Sequence, residues 1–217
     1  GIELMVNFKQ PYLSRNITEF WRRWHISLSS WLRDYLYVPL GGNRKGVFKT
    51  YRNLILTMLI GGLWHGASWT FVFWGGLHGL YLSVHKFLLK GSRCHADWKL
   101  SSGLVVVKGL LGIVFTNVLV LITWLFFRAD SFPLAMDYGV GICNGLLSLP
   151  LLLLSVLIFM SYILLVFILD GVFYFTKKQE VVEGKGFVLR IILMSVMVIS
   201  ICCSWPTEYK PFIYFQF

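Results

Sequence analysis

From Leu54 through His85 the chain runs 32 residues without an Asp, Glu, Lys or Arg. A run that apolar exceeds the ~20 residues that carry one helix across a bilayer. It also contains Gly61, Gly62, Gly66, Gly75, Gly76 and Gly79, and it is basic at both ends (Arg52 and Lys86). Two short or bent helices broken near Gly66 suit this better than one straight rod, because irregular backbone at depth is tolerated where it is buried in protein or lines a cavity. Gly62 with Gly66, and Gly75 with Gly79, form GxxxG frames that permit close helix contact.

The remainder of the chain agrees with a membrane protein. Of its 217 residues 57% are hydrophobic and 14% charged, and the mean hydropathy is +0.69; a soluble domain carries about 25% charge. The net charge of +10 is held in short segments between apolar spans, the pattern of cytoplasmic loops rather than of a nucleic-acid surface. Cys94, Cys143, Cys202 and Cys203 form no C-x-x-C pair, so zinc or redox chemistry finds little support and most read as small apolar fillers. The first residue is Gly1, and the opening segment is mixed and not signal-like; the expectation is the C-terminal portion of a longer protein.

Residues 7–52 are the polar part. After Asn16, Phe20, Trp24, Leu28, Trp31 and Tyr35 recur at three- and four-residue steps, which predicts one amphipathic helix. Arg22, Arg23 and Arg33 with Trp21, Trp24 and Trp31 place that helix at the membrane interface. Pro39-Leu40-Gly41-Gly42-Asn43 ends it, and Arg44, Lys45, Lys49 and Arg52 follow as a basic loop. Past the uncharged run, spans are expected over 104–127, 146–169 and 191–205. Lys86, Lys90, Arg93 and Lys99, and later Lys177, Lys178, Lys185 and Arg190, mark cytoplasmic loops. Residues 128–137 read as an outer loop, and the terminal PFIYFQF as aromatic interface. The fold class is therefore all-α, a polytopic transmembrane helical bundle with an interfacial amphipathic helix.

Ionisable groups at membrane depth are functional candidates first. His65, in Gly61-Gly62-Leu63-Trp64-His65-Gly66, is the leading one, since imidazole is the side chain best matched to proton transfer near neutral pH. The residues alone leave a hydrogen-bonded packing histidine as the other reading. His25, after Arg22-Arg23-Trp24, is either a second catalytic group or a solvated residue of a basic segment. His78 follows His65 by thirteen residues, on a different face of any straight helix, which argues against a dyad on one rod. Asp34 pairs with an arginine or orients a histidine, the local pair being favoured. Arg44 and Lys45 suit an anionic donor such as the phosphates of an acyl carrier. There is no P-loop and no G-x-S-x-G elbow, so direct transfer assisted by a general base is the simplest mechanism, with no metal.

The strings FWRRWHISLSSWLRDYLYVPLGGNRKG (20–46), YRNLILTMLIGGLWHGASWTFVFWGGLHG (51–79), WLFFRADSF (124–132) and PFIYFQF closely resemble the membrane-bound O-acyltransferase (MBOAT) family. PLGGNR favours its bacterial alginate O-acetyltransferase branch over the D-alanyl-transferring one. The resemblance implies that residues 1–217 are the C-terminal part of one multi-helix membrane domain with a tunnel through the bilayer. It places the family's WHG histidine on His65 and its RWH-x-S-L-S histidine on His25. Arg22, Arg23, Trp24, Asp34, Asn43, Arg44, Trp64 and His78 become the expected donor- or substrate-binding set. It further implies an acetyl-CoA or other acyl-thioester donor, with no tightly bound cofactor, and a polysaccharide acceptor. A periplasmic acetyltransferase and polysaccharide-export proteins would be partners, in a multi-pass bacterial inner-membrane setting. The alternative is a non-catalytic scaffold or conduit of a secretion complex.

Overall fold

A computed structural model describes residues 5–88 and 103–147, with Ile191 and Ser195 as single helical positions. The chain divides into two units, Gly1–Asn144 and Gly145–Phe217; the packing below is that of the first. The expected spans 146–169 and 191–205, apart from Leu146, Leu147, Ile191 and Ser195, lie outside the described residues. So do the lysine-rich loop between those spans, the terminal PFIYFQF, Cys94, Cys202 and Cys203. Among the described residues every regular element is helical.

Asn16 starts the first helix, α1 (Ile17–Arg23), its side-chain oxygen accepting from the Glu19 N–H at 2.9 Å. The single amphipathic helix expected from Phe20 to Tyr35 does not form. Trp24 is extended and His25 adopts a left-handed backbone (φ 45), after which α2 (Ile26–Leu32) begins. The cause lies upstream: the Asn7 carbonyl accepts from the Ile26 N–H at 3.0 Å, and its side-chain oxygen from the Ser27 N–H at 2.9 Å. These bonds satisfy helix-start donors of α2 and let the chain turn at His25. Trp21 leaves the interface role as well, lying 9% exposed in the core. A π-type turn, Arg33–Tyr37, follows α2, and turns through Lys45 carry the Pro39–Asn43 breakers.

The next helix, α3 (Val47–His65), begins at Gly46, so Lys49 and Arg52 lie on a helix and not in a loop. Asn53 explains why a polar stretch opens an apolar helix. It is fully buried, donating to the Leu40 and Gly42 carbonyls at 3.2 and 3.3 Å and so clamping the breaker loop to α3. The chain breaks over 66–68, and α4 (Trp69–Leu88) runs back antiparallel. Gly62, Gly75 and Gly79 allow that hairpin to close: an added Cβ would sit 2.2 Å from the Phe71 oxygen, 2.3 Å from the Met58 oxygen and 2.8 Å from the Ile55 Cα.

Helix α5 (Gly103–Arg128) occupies the span expected over 104–127, and Val105–Arg128 is the one described helix long and apolar enough to cross a membrane. Val120, Thr123 and Phe126 face the core, while Leu111, Val114 and Phe115 are exposed. The outer loop expected through Asp137 is short. Ser131 accepts from the Ala135 N–H at its carbonyl and from the Leu134 N–H at its hydroxyl, starting α6 (Phe132–Leu147) with Pro133 in its first turn. Cys143 on α6 is exposed, not a core filler. The core joins Ile17, Phe20 and Trp21 of α1 to Met58, Trp74, Val120, Phe126 and Ala135.

Candidate functional site at the break between α3 and α4

His65 is the last residue of α3, and its position follows from the break. Gly66 turns the chain so closely over Phe71 that an added Cβ would meet that ring at 2.8 Å. The imidazole is 7% exposed and walled by aromatics: Trp64 (centroids 5.0 Å), Phe127 (5.0 Å) and Trp74 (5.3 Å) present near-perpendicular rings, and Phe71 lies at 6.2 Å. These rings bury the imidazole, although Trp64 is itself about half exposed at 48%.

His25 comes to the same place from the other side of the fold. Its ring meets Trp64 edge-on at 6.1 Å, and Trp64 in turn meets the His65 ring at 5.0 Å. Phe8 covers its other side at 6.1 Å. The His25 Nδ1 is buried without a hydrogen-bond partner among the described residues. Leaving a polar atom unsatisfied costs ~1–3 kcal/mol, and holding a non-glycine residue in the left-handed region costs ~1–3 kcal/mol more. Both costs fall on one residue whose ring shares Trp64 with His65.

Two histidines forty residues apart in sequence thus meet through one tryptophan. The profile of the MBOAT, membrane-bound O-acyltransferase family matches residues 4–126, more than half of the chain and all of this cluster but Phe127. The chain belongs to this family. It is 40% identical over 243 residues to "Probable alginate O-acetylase AlgI" of Pseudomonas putida, covering 100% of this chain and 47% of that protein. Over 135 residues it is 52% identical to the protein of the same name in Azotobacter vinelandii, covering 62% of this chain and 25% of that one. It is 44% identical over 152 residues to "Peptidoglycan O-acetyltransferase" of Helicobacter pylori, covering 66% and 27%. The chain therefore spans about half the length, or less, of the curated relatives it matches.

Around the MBOAT histidines the expected binding set separates. Trp64 joins them directly. Trp24 lines the neighbouring aromatic cluster, stacked on Phe20 at 5.5 Å and near Trp124 at 5.7 Å. Arg23 is held by Glu19 at 2.6 Å, Arg22 is exposed on the same helix, and Arg44 is exposed in the turn. Asp34 pairs with its neighbour Arg33 at 2.7 Å, a surface pair in which the guanidinium holds the carboxyl below the usual carboxylate range. Asn43 accepts from Tyr37 and from Lys86, tying the turn to the end of α4.

His78, expected among the donor- or substrate-binding residues, lies in the packed interior. It is 1% exposed; its Nδ1 accepts from the Trp21 indole at 3.2 Å and its Nε2 lies 3.0 Å from the Thr123 hydroxyl. That hydroxyl donates to the Val120 carbonyl, so it accepts from Nε2–H, and both ring nitrogens are committed. His78 thereby joins α1, α4 and α5. Sequence reasoning missed Asn53, Thr123 and Trp74; lone amide, hydroxyl and indole groups in apolar helices were the signal available. Among the described residues no three His, Cys, Asp or Glu side chains gather to hold a metal.

Proposed function

We propose that the whole protein is a multi-pass membrane O-acyltransferase that moves an acetyl group from a cytoplasmic thioester, acetyl-CoA in the simplest case, to a hydroxyl of an exported polysaccharide. The observation that carries this is the meeting of His65 and His25 at the helix break, in a family named for O-acyl transfer. The relatives' names point to alginate or peptidoglycan as the kind of acceptor. A periplasmic acetyltransferase receiving the acetyl group first, and export proteins alongside, fit an inner-membrane site of delivery.

In this reading the acceptor oxygen attacks the thioester carbonyl carbon while His65 takes the hydroxyl proton. The tetrahedral adduct then expels the thiolate, which recovers that proton from the imidazolium. General-base help of this kind contributes ~10²–10⁴ in rate. His25, with its buried Nδ1 turned to no described partner, positions the thioester end of the donor. His65→Ala in the whole protein, reconstituted in vesicles with an acetyl thioester, should lower kcat by ~10²–10⁴. Wild-type turnover from a normally inserted variant would remove His65 as the base, and only a wild-type protein that transfers nothing would leave the scaffold reading.

A further inference from the structure

Trp74 carries a buried donor that the packing does not use. Its indole N–H has no hydrogen-bond partner among the described residues, and the residue is 4% exposed. Such an omission costs ~1–3 kcal/mol, and phenylalanine would avoid it: Phe71 and Phe127 line the same wall as plain hydrocarbon. The neighbouring His78, 4.7 Å away, offers no acceptor because Trp21 and Thr123 occupy both its nitrogens. Trp21 at 5.9 Å and Phe127 at 5.4 Å offer no acceptor either, and the remaining neighbour is the proposed base, His65, whose ring stands perpendicular to the indole at 5.3 Å.

We infer that the Trp74 indole N–H is the hydrogen-bond donor to the acyl carbonyl oxygen of the thioester held at His65. The inference rests on acyl transfer at that imidazole. As the acceptor oxygen bonds to the carbonyl carbon, the C=O π pair moves onto oxygen, and the hydroxyl proton passes to His65. The N–H then faces an oxyanion rather than a neutral carbonyl. When the C–S bond breaks, the C=O re-forms and the proton leaves with the thiol. A fixed, buried donor strengthens as that charge develops and needs no reorganisation. His78, Trp21 and Thr123 serve this indirectly by holding the face of α4 from which Trp74 projects.

The test uses the whole protein in vesicles and a non-transferable thioester analogue labelled with ¹³C at the carbonyl. Trp74→Phe should lower kcat by ~10²-fold with KM unchanged, and should move the bound carbonyl stretch to higher frequency. Should the phenylalanine variant fail to insert, benzothienylalanine at the same position keeps the ring's shape and removes only the N–H, and the same two readouts decide. An unchanged carbonyl stretch overturns the assignment, whether turnover is kept or lost. His65→Ala separates the two claims. If it abolishes transfer while the analogue's stretch still depends on Trp74, both stand; if it transfers at the wild-type rate, the fault lies in the base.

Discussion

His65 and His78 are thirteen residues apart, and Trp74 touches both rings, yet their surroundings assign them different work. One stands at a helix end and shares Trp64 with a second histidine; the other has each nitrogen bonded to a different helix. Removing the second should therefore cost stability and not donor affinity. His78→Leu keeps the volume but leaves the Trp21 N–H without a partner, a loss of ~1–3 kcal/mol, while the Thr123 hydroxyl keeps its bond to the Val120 carbonyl. Thermal unfolding in detergent should show a clearly lowered Tm, while the donor KM of the folded fraction stays at the wild-type value. A raised KM at unchanged Tm would return His78 to the binding set.

At the scale of elements, the hairpin of α3 and α4 is where sequence and structure agree most closely. The glycines that suggested a break and close helix contact supply both: Gly66 is in the break, and Gly62, Gly75 and Gly79 are in the contact. Neighbouring glycines nevertheless differ. Gly75→Ala would place a methyl 2.3 Å from the Met58 oxygen, whereas Gly76→Ala meets Leu59 at an ordinary 3.5 Å. The first should destabilise by ~1–3 kcal/mol through overpacking; the second should be neutral or gain up to ~1 kcal/mol of helix propensity. Melting temperatures of the two variants should move apart, and equal shifts would contradict the packing. The kink at His25 was not legible in the same way. Periodicity continues across it because α1 and α2 are seven-residue helices in succession. The hydrogen bonds that break the helix come from Asn7, twenty residues before Ser27. The start of α6 was readable in principle from Ser131 and Pro133, but the charges at Asp130 and Asp137 favoured a loop.

For the molecule as a whole, α1 inserts Phe20 and Trp21 against α4 and α5, while α5 seats the N-terminal segment. Asn117 donates to the Tyr12 carbonyl at 2.8 Å, and Gly112 lets the Arg15 carbonyl approach to where a Cβ would be. The polar, basic segment is thereby drawn into the helical body, and His25 with it. Family motifs named both histidines, but their meeting depends on contacts between residues up to 105 positions apart, which no local window contains. The site account reduces to the place where the donor's reacting carbon rests. Cryo-electron microscopy of the whole protein with the non-transferable thioester analogue measures that directly. The carbonyl carbon should lie beside the His65 imidazole with room for the acceptor oxygen between them, the oxygen's place being ~3 Å from a ring nitrogen. A thioester bound elsewhere, with His65 enclosed by Trp64, Trp74 and Phe127 and out of its reach, would contradict acyl transfer at this ring.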